Sequence, residues 1–135
     1  MKTNSYFDIG ANLTHESFDK DLITVIEEAK QNNVKKICIT STSIEDTRVS
    51  LKLLENDQNF FITTCGIHPH YADTFEESNI REIKELSEHP SVKAIGETGL
   101  DFNRNYSKKD NQILCFKSQI EVCLLYTSDA ADEGG

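Results

Sequence analysis

The sequence predicts an α/β fold in which successive βα units build a parallel sheet with helices covering it. Two observations carry this reading. Four short β-rich runs alternate with segments whose apolar residues recur at helical spacing. Each run is followed by polar residues and glycines, which is where parallel α/β folds build their sites.

Tyr6-Phe7-Asp8-Ile9 reads as the first strand, ending at Gly10. Phe18, Leu22, Val25, Ile26 and Ala29 share one face of a helix over about 16–32. The second strand is Val34 to Thr40. Ser43, with Asp46 three residues on, makes a capping-box pattern that opens a helix of about 44–56, with Val49, Leu53 and Leu54 inward. The third strand, Phe60 to Cys65, stops at Gly66 and enters the loop GIHPHYADTF. Ile80, Ile83 and Leu86 mark a helix of about 76–88, and Val92 to Gly96 is the fourth strand. Ser107 with Asp110 repeats the capping pattern before a fourth helix that puts Ile113, Phe116, Ile120 and Cys123 on one face. Periodicity leaves two closures open: a doubly wound sheet, or half of a (β/α)₈ barrel, which needs about 250 residues. No GxGxxG opens a helix, so a dinucleotide site has no support.

The 135 residues suffice for one domain with a real core. A net charge of −9 argues against non-specific nucleic-acid binding through a basic surface. It leaves room for an enzyme that meets phosphate through a bound cation. The cysteines, Cys38, Cys65, Cys115 and Cys123, form no CxxC motif. Cys38 and Cys65 lie in apolar runs and read as reduced core residues of a cytoplasmic protein. No segment approaches about 18 apolar residues and no apolar h-region follows Met1, so neither a membrane span nor a standard signal peptide is expected.

The strand ends carry the chemistry. Asp8, Gly10 and Asn12 close the first, Thr40 to Ser43 the second, His68 and His70 around Pro69 the third, and Glu97 and Asp101 the fourth. Carboxylates and imidazoles converging on one face suit a hard divalent cation or a proton-transfer site. Loop chemistry accounts for several of them on its own. An Asp or Asn after a strand often caps the next helix, His68 beside Pro69 suits a surface turn, and His15 and His89 sit at helix edges in solvent or capping roles. Glu97 stands apart, at the last position of an apolar strand, where a buried charge is costly without a partner. Gly96 and Gly99 around it would let the backbone turn tightly and approach a ligand.

FDIGANLT (7–14), GIHPHY (66–71) and above all AIGETGLDFNRN (94–105) resemble the TatD family of metal-dependent deoxyribonucleases, over about residues 6–123. The resemblance implies the N-terminal half of a TIM barrel of the metallo-dependent hydrolase type. It implies hydrolysis of phosphodiester bonds in DNA, exonuclease-like in bacterial members. Glu97 falls on the metal-bridging glutamate of the GE-x-GLD motif, with Asp8 as a second metal ligand. Where many relatives carry H-x-H, this chain has Gly10 and Asn12, the D-x-G-x-N of the narrower TatD branch. Two nitrogen ligands are thereby lost, which favours Mg²⁺ or Mn²⁺ over tightly held Zn²⁺. His68 takes the G-x-HP position beside the substrate phosphate, in a catalytic and binding role. Asn12, Asp101 and Arg104 complete the substrate-binding set.

The family's later strands supply two histidines and an aspartate that would lie beyond Gly135. Residues 1–123 are therefore expected to form a partial barrel, and 124–135, small and acidic, a non-native or disordered tail. Open sheet edges would favour self-association, and Ile37, Ile39, Phe61 and Ile95 would lack half of their covering layer. The other readings are a non-catalytic fragment or scaffold, and an amidohydrolase-like enzyme for a small molecule, which the missing H-x-H pair argues against.

Overall fold

A computed structural model describes residues 4–134, with side chains through Leu125. The chain runs through β1 (Tyr6–Ala11), a 3₁₀ turn (Glu16–Phe18), α1 (Leu22–Gln31), β2 (Val34–Ile39) and α2 (Ile44–Leu54). It continues through β3 (Phe61–Cys65), a 3₁₀ segment (Pro69–Thr74), α3 (Ser78–Ser87), β4 (Val92–Ile95) and α4 (Lys109–Gly134). Of the expected tail, 124–135, residues 124–134 fall at the end of α4, mostly beyond the residues whose side chains are described, and Gly135 lies outside the described residues.

The four strands are parallel and pair in the order β1-β2-β3-β4. This order decides between the two closures. Right-handed crossovers that always step the same way put every helix on the same side of the sheet. A doubly wound sheet must reverse its order at a switch point. The winding is that of a (β/α) barrel, of which the chain carries four βα units.

Strand side chains alternate between faces, and the helices cover the face bearing Ile37, Ile39, Phe61 and Cys65. Leu13, Leu54 and Phe60 join the first three in one apolar cluster beneath α1 and α2. Ile44, Cys65, Ile67, Ala72, Ile83, Cys115 and Val122 make the second, between β3, α2, α3 and α4. Ile37, Ile39 and Phe61 are thus at most 4% exposed, contrary to the expectation that they lack cover. They face the helices, not the barrel interior. Ile95 is half-buried against the second cluster. Uncovered apolar surface lies instead on the edge strand β1, at Tyr6, Phe7 and Ile9.

Three further expectations need correction. The first helix begins only at Leu22, because His15 accepts a hydrogen bond from Ser17 N–H and winds the preceding chain into a 3₁₀ turn. Val49 is exposed; α2 instead buries Ile44, Thr47, Ser50 and Leu54. In α4 the buried face is Gln112, Cys115, Gln119 and Val122, while Ile113, Ile120 and Cys123 are exposed. Gln119 explains the rotation. Its amide donates to the Ile67 carbonyl (3.0 Å) and accepts from the Ile67 N–H (2.9 Å). This clamps the chain just after β3 and keeps a polar side chain inside.

Candidate active site

One backbone bond at the strand ends skips over a neighbouring strand. Glu97 N–H donates to the Ser41 carbonyl at 2.8 Å, joining the ends of β4 and β2 across the end of β3. That crossing needs Gly66. A Cβ there would lie 2.6 Å from the Gly96 carbonyl carbon and 2.7 Å from its Cα. Gly66, not Gly96, makes the tight contact between the strand ends; a Cβ on Gly96 itself would meet nothing nearer than 3.7 Å. Gly99 does need to be glycine, because its φ is +153°.

The Thr-Ser-Thr-Ser run divides its work. Ser41 is fully buried and its hydroxyl meets those of Ser50 (3.2 Å) and Thr63 (3.3 Å). Ser43 caps α2, accepting from Asp46 N–H at 3.0 Å as the capping pattern predicts. The Asp46 carboxylate does not return to Ser43. It accepts from Thr42 N–H (2.9 Å), the Thr42 hydroxyl (3.2 Å) and the Thr14 hydroxyl, tying the ends of β1 and β2 together. Thr40 and Thr42 remain to line a cleft of about 260 Å³ with Gly10, Asn12 and Glu97.

Glu97 and Asn12 thus share one cleft, and His68 joins them from β3, with Nε2 3.6 Å from Glu97 Oε1. His68 also caps the 3₁₀ segment, its Nδ1 accepting from His70 N–H at 3.1 Å, so Nε2 carries the ring proton in the neutral form. Burial pushes the His68 pKa below its ordinary value, against the pull of Glu97. Glu97 is not the buried charge the sequence suggested; its side chain is 49% exposed and opens onto the cleft. Asp8 lies earlier on β1 and outside the cleft lining, its Oδ1 accepting from Gly10 N–H at 3.1 Å.

Asp101 and Arg104 form a second group alongside. Asp101 Oδ2 is 2.7 Å from His70 Nε2 and 3.5 Å from the Arg104 guanidinium, while Oδ1 accepts from Arg104 N–H at 3.0 Å. The His70 bond, then the Arg104 N–H, hold the Asp101 pKa down to about 2. His70 is the residue the sequence reading missed as a site member. The signal was present in the H-P-H repeat at one strand end with an acid at the next, since β3 and β4 are neighbours. Ser107 does not cap α4 through Asp110 as expected. Its buried hydroxyl donates to His70 O (2.9 Å) and accepts from Asp73 N–H (3.1 Å), fastening the loop after β4 to the 3₁₀ segment.

The sequence model of the family described as TatD related DNase matches residues 7–127. The chain belongs to this family. It is 42% identical over 116 residues to the 3'-5' ssDNA/RNA exonuclease TatD of Musicola paradisiaca, covering 86% of this chain and 44% of the relative. The exonuclease of the same name from Erwinia amylovora is 38% identical over 116 residues, covering 86% and 45%. A TatD family hydrolase of Entamoeba histolytica superposes with a TM-score of 0.82 at 28% identity, over 94% of this chain and 48% of that one. The chain therefore spans about half the length of the TatD relatives it matches.

A TatD hydrolase fold implies a divalent cation, and the donors at the cleft fit a hard one: the Glu97 carboxylate, the Asn12 side-chain oxygen and the Thr40 and Thr42 hydroxyls. Among the described residues no three His, Cys, Asp or Glu stand together as a metal-holding group.

Proposed function

We propose that the chain carries one part of the active site of a divalent-metal-dependent hydrolase that cleaves phosphodiester bonds in nucleic acid, DNA foremost, in an exonuclease-like manner. The convergence of Glu97, His68 and Asn12 at the strand ends is the observation that carries this reading. Glu97 is the principal metal ligand, and Asp8, whose Oδ1 accepts from Gly10 N–H, keeps lone pairs with which to contribute. Mg²⁺ or Mn²⁺ suits this oxygen set better than Zn²⁺. The cation, when bound, supplies Lewis-acid polarisation of the phosphate and a lowered pKa for an attacking water.

The chain's own residues bind and orient. His68, neutral near pH 7, offers its Nε2–H to a phosphate oxygen beside Glu97. Asn12, which lines the same cleft as Glu97, offers an amide. Arg104, held by Asp101, supplies the cationic contact to the next phosphate. The buried free thiols Cys38, Cys65 and Cys115 support a cytoplasmic setting. Among the described residues no helix is long and apolar enough to cross a membrane.

The test is prolonged incubation with an end-labelled single-stranded oligonucleotide. The expected outcome is slow cleavage that needs Mn²⁺ or Mg²⁺, stops with EDTA and is absent in Glu97→Gln. Cleavage of equal rate in EDTA, or in the Gln variant, contradicts the reading.

A further inference from the structure

The loop between β4 and α4 carries a feature the hydrolytic site does not use. Tyr106 is 69% exposed, though its ring packs edge-on against His70, with centroids 4.8 Å apart and planes at 79°. His70 packs in turn against His68 at 4.2 Å, and His68 faces Glu97 at 3.6 Å. An unbroken series of rings therefore leads from the cleft to an aromatic face open to solvent.

The loop is rigidly held. Gln112, 1% exposed, accepts from Asp101 N–H at 2.8 Å and donates to the Ser107 carbonyl at 2.8 Å. Asn105 adopts a left-handed φ of +54°, a conformation its short polar side chain tolerates, and so turns the chain at Tyr106. An exposed aromatic costs hydration, and this one is fixed in place and not folded back into the core. In a chain of net charge −9, Arg104, Lys108 and Lys109 lie within three residues of it in sequence; Arg104 reaches Asp101 at 3.5 Å and Lys109 sits over the Phe102 ring at 5.2 Å. Aromatic faces flanked by cations along a groove are how sequence-tolerant single-strand binders hold bases and backbone together.

We propose that Tyr106, braced by His70, is a stacking platform for an unpaired nucleobase, placed so that the neighbouring phosphate reaches the His68 Nε2–H beside Glu97. This rests on the nucleic-acid reading above and deepens it. A base can stack on Tyr106 only when it is unpaired, so the platform selects single strands or frayed ends over intact duplex. Arg104 then meets the backbone of the stacked nucleotide.

The chain contains no tryptophan, so Tyr106→Trp places a single reporter at the platform. Its fluorescence is measured against a single-stranded oligonucleotide, an abasic strand with the same number of phosphates, and a blunt duplex. Affinities for the same three are measured for the unsubstituted chain and for Tyr106→Ala. The expected results are quenching by the base-bearing strand alone, and a roughly tenfold loss of its affinity in Tyr106→Ala with the abasic strand unaffected. Equal losses for base-bearing and abasic strands, or no quenching on binding, would overturn the platform while leaving the nucleic-acid reading intact. An unsubstituted chain that binds none of the three would overturn both.

Discussion

His70 Nε2 lies 2.7 Å from Asp101 Oδ2, a contact that joins the loops after β3 and β4 beside the cleft. An ionised carboxylate only accepts, so Nε2 donates, and the bond favours the charged acid. The Asp101 pKa is accordingly lowered from 3.8 to about 2. Because the folded value is the lower one, the stabilisation is present above pH 3.8 and is lost as pH falls through about 2. Carboxyl-carbon NMR titration should place the Asp101 midpoint near 2 and move it toward 3.8 in His70→Ala. An unshifted midpoint in the unsubstituted chain would show that the contact does not hold in solution.

Gly66→Ala should destabilise the fold by about 2–3 kcal/mol, the cost of overpacking against backbone that cannot move aside. The new Cβ would stand 2.6 Å from the Gly96 carbonyl carbon and push β4's end away from the Ser41 carbonyl. Urea denaturation measures this directly. An unchanged midpoint would mean that the crossing over β3 is not as tight as described.

Gln119→Leu keeps much of the side chain's size but removes both bonds to Ile67. A buried backbone N–H and C=O are left without partners, so stability should fall by about 2–3 kcal/mol. The loss should appear in equilibrium unfolding and in faster amide exchange at Ile67. A Leu variant as stable as the unsubstituted chain, with Ile67 still protected, would remove the clamp from the account of α4.

These last two residues mark where the sequence was hard to read. The strands were legible to within a residue or so, since Val34–Ile39 and Phe61–Cys65 are β-rich runs bounded by turn residues. The cap at Ser43 and the TatD motif around Glu97 were legible for the same local reason. The inward face of α4 was not. Apolar periodicity turns Gln112 and Gln119 outward, whereas both are buried because they satisfy loop backbone. The His70–Asp101 pair was missed because its members are 31 residues apart and meet only through β3–β4 adjacency. Periodicity alone left the closure open; the TatD resemblance implied a barrel, and the strand order agrees with it.

Self-association should be measurable in the 135-residue chain. The ends of the sheet, β1 and β4, present unpaired backbone among the described residues, and β1 also exposes Tyr6, Phe7 and Ile9. Size-exclusion chromatography with light scattering should give a mass that rises with concentration. Phe7→Lys and Ile9→Lys together should return it toward 15.3 kDa. A strict monomer across the concentration range would rule out the open edge as an interface.

Glu97 is proposed as the carboxylate through which the strand-end cleft takes a divalent cation. Calorimetric titration of Mn²⁺ into the chain and into Glu97→Gln tests it most directly. Glu97 is half exposed, so the Gln variant should unfold within about 0.5 kcal/mol of the unsubstituted chain. The expected result is weak binding by the unsubstituted chain, as suits a site with one carboxylate and several waters, weakened at least about tenfold by the substitution. Mn²⁺ binding of equal strength in the two folded proteins would contradict the claim.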